Sequence, residues 1–436
     1  MKFEKSAEIQ KRFNSIIPGG CHTYAKGDDQ YPQFMPVYIS RGQGSHVWDI
    51  DGNEYIEYGM GMRSVTLGHA FGPVVEAAYR QMLLGNNYVR PACIELDCAE
   101  EFLSIIDGAE MVKFCKNGSD AMNGAVRLSR AHTGRDMVAI CGDHPFFSVD
   151  DWFIGTTAMA AGIPQCTRAL TVKFHYNDIA SVKELFAKHP RKIACVILEP
   201  EKIDPPANNC LRELQRIAHE NGALFILDEI ITGFRWHLGG AQKKYGIVPD
   251  LSAFGKAMGN GFAISALAGK REFMELGGLH HNKERVFLLS TTHGAESHAL
   301  AAALATMKYY KDHPVIETLY GQGRKLAEGV NKVSRELGLE KHVSIIGPDC
   351  CSVYTTRDQD QKPSQPFRTL FLQETMKRGL LMPSSIVSYA HSDTDISSTV
   401  EKIAETLVVY KKALDEGIEK YLVGDPIKPV YRKYND

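Results

Sequence analysis

No stretch of this 436-residue chain approaches the roughly 18 apolar residues in a row that a membrane-spanning helix needs, so no membrane partner is expected. Neither sign of charge dominates. The 50 Lys and Arg against 52 Asp and Glu leave a formal net charge of −2, which gives no reason to expect nucleic acid or an anionic membrane as partner. The ten cysteines are scattered and form no C-x-x-C pair, and the adjacent Cys350 and Cys351 are poorly placed to bridge each other; a reduced, cytoplasmic setting is expected. The opening residues Met1 to Lys5 carry charge but no apolar core, unlike a secretory signal. There is no internal repeat and no low-complexity tract. No G-x-G-x-x-G follows the early strands and no acidic ribose partner is identifiable, which argues against a nicotinamide-dependent oxidoreductase.

What is present is an ordinary globular composition, 44% apolar and 23% charged, in a chain long enough for about two domains. The first forty residues read as loop-rich, interrupted by Pro18-Gly19-Gly20, Gly27-Asp28-Asp29 and Pro32 to Pro36. Two alternating segments, Ser45 to Ile50 and Glu54 to Tyr58, flank Asp51-Gly52, a hairpin signal. From about residue 70 strands alternate with helices. Val112–Cys115, Met137–Cys141, Ala194–Leu198 and Ala223–Leu227 read as strands, with helices over Ala121–His132 and Leu211–Asn221, the latter ended by Gly222. Strands apolar on both faces and alternating with helices predict an α/β fold with a mostly parallel central sheet between helical layers. A last helix is predicted from Ser397 to Leu422, with Val400, Ile403, Leu407, Leu414 and Ile418 on one stripe. The predicted division is an N-terminal arm and hairpin over 1–65, a large domain over 66–310, and a smaller α+β domain over 311–436 with which the arm packs.

Two residues carry the chemical argument. Ala223 to Leu227 ends in Asp228 and Glu229, and 28 positions beyond Asp228 a second apolar segment, Leu251 to Phe254, ends in Gly255-Lys256. An acid at the end of one buried strand and an amine just past another is the pair that an aldehyde-bearing pyridine cofactor needs. The amine bonds the aldehyde carbon, and the acid keeps the ring nitrogen protonated. Alone, Asp228 and Glu229 could simply cap the next helix, and Lys256 could be a solvated loop lysine; the two together outweigh those readings. Met258-Gly259-Asn260-Gly261 lets the backbone come close to a ligand. Asn117-Gly118-Ser119-Asp120 joins a strand to a helix, so Gly118, the Ser119 hydroxyl and the first helical amides are candidates for a phosphate, although an ordinary N-cap has the same sequence. A second hydroxyl-rich loop, Ser290 to Gly294, precedes an Ala-rich helix, Ala299 to Tyr310.

Asp228-Glu229-Ile230-Ile231-Thr232-Gly233-Phe234-Arg235, followed by Gly246-Ile247-Val248-Pro249-Asp250-Leu251 and Phe254-Gly255-Lys256, resembles the class III (ornithine-type) aminotransferases, and within them the glutamate-1-semialdehyde 2,1-aminomutase branch. The resemblance runs from Ile17-Pro18-Gly19-Gly20 through Leu67-Gly68-His69 to Ala390-His391-Ser392. It implies a fold-type I pyridoxal 5'-phosphate enzyme with Lys256 as the Schiff-base lysine and proton carrier and Asp228 on the pyridinium nitrogen. Gly118 and Ser119 would bind the phosphate. Thr292 would reach it from the second subunit of a homodimer whose active sites are shared.

The chain also departs from the pattern. Asp143-His144-Pro145-Phe146 stands where the family has Tyr-His-Gly, which puts His144 in place of the aromatic that covers the cofactor ring, with Phe146 as the alternative. A metal site built from Asp143, His144, Asp150 and Asp151 lacks a matching second cluster, and no metal is expected. Lys26 occupies the place of an arginine that holds the substrate carboxylate, and a lysine cannot make the two-pronged contact. Only Ser385 to Tyr389 separate Pro383-Ser384 from Ala390-His391-Ser392, which leaves the branch's gating glutamate without a counterpart. Arg63 and Arg90 align with uncharged positions and are candidates for a different anion, against the plainer reading of surface ion pairs. The expected activity is transfer of an amino group from a small-molecule donor to an aldehyde or ketone acceptor. The alternative is an intramolecular aminomutase, an isomerase.

Overall fold

The computed structural model describes residues 1–435 and divides into two compact units, Met1–Phe71 with Glu317–Asp436, and Gly72–Ile316. The predicted boundaries were 65 and 310.

In the first unit, β1 (Ile39–Gln43), β2 (His46–Asp49) and β3 (Glu54–Glu57) form an antiparallel meander. The Asp51-Gly52 signal marks its second turn. Gly52 takes φ +89, and Asp49 Oδ1 accepts the amides of Asp51 and Asn53 at 3.0 and 2.8 Å. The first forty residues are not all loop: a helix spans Glu4–Ile16. Its local N-cap is Phe3, which makes no capping bond. Instead the Asp51 carboxylate accepts the amides of Lys5 and Ser6 at 2.8 and 2.9 Å from 46 and 45 residues away.

The second unit carries β4 (Met111–Cys115), β5 (Met137–Cys141), β6 (Thr171–Phe174), β7 (Ile193–Leu198), β8 (Leu224–Asp228), β9 (Leu251–Phe254) and β10 (Ser265–Gly269) in one sheet of order β4-β10-β9-β8-β7-β5-β6. β10 runs antiparallel to both of its neighbours, β4 and β9, and the other pairings are parallel. Every residue of β5, β7, β8, β9 and β10 is buried. Each large apolar side chain removed from water there stabilises the fold by about 1.5–3 kcal/mol, so these strands form a rigid floor for whatever their ends carry. Helix Gly118–Thr133 starts three residues before the sequence suggests, because Asn117 and Asp120 close a capping box that draws Gly118 and Ser119 into its first turn.

In the returning part of the first unit, β11 (Ile345–Ile346) pairs with β12 (Val353–Tyr354), and β13 (Leu380–Leu381) joins β3 in parallel. The last helix spans Asp393–Glu416, not Ser397–Leu422. Ser392 and Asp395 cap it earlier, and Gly417 at φ +99 stops it, leaving a separate short turn at Ile418–Lys420. Among the described residues, no helix is long and apolar enough to cross a membrane.

Candidate active site

Gly118, Ser119, His144, Asp228 and Lys256 sit at or just beyond the C-terminal ends of β4, β5, β8 and β9, the edge where open α/β sheets bind ligands. Asp228 is the last residue of β8 and is 4% exposed. Its Oδ1 accepts the Ile230 amide at 3.0 Å, and no other described hydrogen bond reaches the carboxylate. Burial pushes its pKa up to about 8. Glu199 pushes the same way, while the Ile230 amide and then the Lys256 ammonium pull it down. Asp228 and Lys256 therefore sense each other's charge across the ends of adjacent strands.

Glu229, one residue on, does something different. Its carboxylate accepts the amides of Ala241 and Gln242 at 2.9 and 2.6 Å and the Thr232 hydroxyl, so it caps the short helix Gly240–Lys244. Gly240 takes φ +81, and a Cβ there would lie 2.8 Å from the Glu229 carboxyl group. The capping role weighed for the pair thus falls to Glu229 alone, which frees Asp228 for a ligand.

Lys256 opens a 3-10 turn directly after β9 and holds φ +44, a strained value for a residue with a side chain. Gly255 before it has no room for a Cβ, which would lie 2.6 Å from Ser265 Oγ and 3.2 Å from Ile230 Cδ1. At Gly118 a Cβ would lie 2.8 Å from the same Ile230 Cδ1. One isoleucine, two residues past Asp228, therefore touches both the lysine turn and the glycine that opens helix Gly118–Thr133. At that helix end Ser119 is buried and its Oγ accepts the Val149 amide at 3.1 Å. The amides of Gly118 and Ser119, in the first turn, meet no protein acceptor among the described residues.

His144, on the loop after β5, is buried at 5% exposure, while Phe146 is 41% exposed and packs edge-on against Phe153. His144 Nδ1 accepts the Glu199 amide at 3.0 Å, so the ring's proton sits on Nε2. Burial, then the nearby Lys202, push its pKa down to about 3, and Asp143 opposes them only partly. Asp143 accepts from the Tyr176 amide at 2.7 Å and pairs with His175, whereas Asp150 is held by Asn123 and Ser148; these acids do not converge as metal ligands.

Thr292 lies exposed in the loop before helix Ser297–Asp312, and its carbonyl accepts from Asn87 Nδ2 at 3.2 Å. Arg90 is exposed in the adjoining segment. In the first unit, Lys26 is exposed at the end of the turn Tyr24–Lys26, and Arg63 is half-buried. Arg63 closes a left-handed turn in which Met60, Gly61, Met62 and Arg63 all have positive φ. Such a run is costly for L-residues and is found where position matters more than local stability.

Sequence reasoning missed Glu199. It is 3% exposed and directly follows β7. The register pairs Leu198 with Leu227, which sets Glu199 beside Asp228. The signal was available: Ala194–Leu198 ends in a carboxylate, just as Ala223–Leu227 does.

The fold and these strand-end residues define a fold-type I enzyme dependent on pyridoxal phosphate. The chain matches the model of the class-III aminotransferases over residues 26–421 and belongs to that family. It is 32% identical to a glutamate-1-semialdehyde 2,1-aminomutase of Desulfitobacterium hafniense over 431 residues, covering 93% of this chain and 98% of the relative. It is 30% identical to a 3-aminobutyryl-CoA aminotransferase of Cloacimonas acidaminovorans over 424 residues, covering 95% and 99%. Among solved structures it resembles the pyridoxal-phosphate form of the FumI protein of Sphingopyxis sp. MTA144, with TM-score 0.85, 27% identity and coverage of 95% and 98%.

Proposed function

We propose that this protein transfers an amino group from a small-molecule donor to an aldehyde or ketone acceptor, with Lys256 and Asp228 as its catalytic residues. The observation that carries the proposal is the Asp228 carboxylate: buried, accepting the Ile230 amide, and within electrostatic reach of Lys256. Pyridoxal phosphate supplies the aldehyde that Lys256 bonds and the ring that draws electrons from the substrate carbon.

The rest is done by the chain. Asp228 holds the proton on the ring nitrogen, which a buried carboxylate does well when its counter-charge arrives with the ligand. The Lys256 amine would move a proton between the substrate carbon and the cofactor carbon. The unmet amides of Gly118 and Ser119, with the Ser119 hydroxyl, hold the phosphate at the positive end of their helix. The buried, neutral ring of His144, rather than the exposed Phe146, would cover the cofactor face. Lys26, Arg63 and Arg90 are the cations proposed to select an anionic substrate.

We assign a homodimer with shared sites. Tyr79, Leu83, Leu84, Tyr88, Val89 and Phe287 are all exposed, Val89 completely, on the unit that carries the Thr292 loop. That much bare apolar surface calls for a covering partner. A second copy would cover it and bring Thr292 to the neighbouring phosphate. A cytoplasmic setting agrees with ten unpaired cysteines.

The second reading is an aminomutase, favoured by the 32% identity to an aminomutase. Lys26 in the arginine position and the short segment from Ser385 to Tyr389 oppose it. Two measurements decide. Borohydride should fix the cofactor to Lys256; a cofactor that remains removable, or is fixed elsewhere, refutes the lysine assignment. With glutamate-1-semialdehyde alone, little 5-aminolevulinate should form; rapid formation without an added amino donor would establish the aminomutase.

A further inference from the structure

We infer that Glu199 is a positioning residue of this site: its carboxyl and that of Asp228 hold one shared proton before the cofactor binds, and its backbone amide fixes the His144 ring. This rests on the roles proposed above for Asp228 and Lys256. Three observations carry it. The parallel register of β7 and β8, which pairs Leu198 with Leu227, puts Glu199 and Asp228 next along neighbouring strand ends, and Asp228 lies within electrostatic reach of Glu199. Both are nearly inaccessible to water, at 3% and 4% exposure. The amide that directs His144 Nδ1 belongs to Glu199 itself, so the residue that orients the ring also carries the carboxyl whose charge Asp228 senses.

Two carboxylates on neighbouring strand ends and out of water resist ionising together, so they hold one proton between them and titrate as a pair. The other charged groups facing Asp228 are Glu229, which follows it, and Lys256, from the turn after β9. Glu229 is satisfied by its own helix cap. The Lys256 charge opposes protonation, and burial together with Glu199 outweighs it. His144, from the end of β5, is uncharged, and Lys202 lies three residues beyond Glu199. When the cofactor binds, Asp228 ends ionised opposite a protonated ring nitrogen. The shared proton passes to that nitrogen if the ring arrives neutral, or leaves to solvent if it arrives protonated. Either way the unloaded site holds a proton that a site without Glu199 would lack.

The experiment uses the full chain, stripped of cofactor and reloaded with pyridoxal phosphate. Heats of binding in pairs of buffers with different ionisation heats count the protons exchanged, from about pH 6 to about pH 9. The ligand's own titration cancels in the difference between wild type and Glu199→Gln. Near neutral pH the wild type should release more protons than the variant, and the midpoint of that release should sit lower in the variant by about one pH unit or more. Superimposable proton counts, with both proteins loading normally, overturn the inference. If the cofactor in either protein cannot be fixed to Lys256 by borohydride, the underlying site assignment fails instead. Should Glu199→Gln not fold, the infrared difference spectrum of wild-type loading decides. Loss of a protonated-carboxyl carbonyl band supports the shared proton, and absence of that band overturns it.

Discussion

The ends of β5, β7, β8 and β9 and the segments carrying Lys26, Arg63 and Arg90 are built on opposite principles. At the strand ends His144, Glu199 and Asp228 are buried, and each is fixed by backbone that the sheet holds in place. Lys26 and Arg90 are exposed, and Arg63 sits on a strained left-handed turn. On the proposed reading the first region would meet a cofactor of constant shape, so rigidity costs it nothing in range. The second would answer to whatever substrate the enzyme uses, and loops can change there without disturbing the core.

The sharpest way to break this contrast is Lys256→Ala, which should lower turnover by about a thousandfold or more while non-covalent cofactor binding survives; near-normal kcat would remove the first region from the chemistry. Asp228→Asn should cost about a hundredfold or more in kcat with the fold intact, measured beside circular dichroism. Glu229→Ala, one residue away, should act on stability instead. Three buried donors lose their acceptor, at about 2–3 kcal/mol, read as a lower Tm, and a purely kinetic effect would show that the two acids were wrongly separated.

A pH titration sharpens the contrast further. The folded pKa of His144, about 3, lies below its ordinary 6.5, so the fold loses stability as pH falls from 6.5 toward 3, where the ring must take up a proton out of water. His144→Phe should flatten that acid limb of Tm against pH, and an unchanged limb would mean that the ring is not held as described. The smallest effects belong to the exposed cations. Lys26→Ala, Arg63→Ala and Arg90→Ala should each raise KM for an anionic substrate by about tenfold at most, with the cofactor spectrum unmoved.

Much of the strand-end region was legible in the sequence, because uninterrupted apolar runs that stop at a carboxylate or at Gly-Lys locate both the sheet and its ligand edge. Glu199 obeyed that rule and was passed over because no second feature drew attention to it. The division of labour between Asp228 and Glu229 was not legible, since it depends on where the amides of Ala241 and Gln242 fold back. Helix Glu4–Ile16 was hidden for a similar reason: its cap, Asp51, is remote in sequence. The final helix was drawn too long because its apolar stripe runs on through Gly417, where the backbone, not the stripe, decides.

Ile230 gives the large unit a gauge. Its terminal methyl fills the gap between Gly118 and Gly255, so the spacing between the start of helix Gly118–Thr133 and the turn that bears Lys256 is set by the reach of one side chain. Shortening that spacer to valine would let both loops settle inward, while a bulkier residue would wedge them apart. Changes in cofactor grip and in lysine placement should then appear together, as one mechanical response.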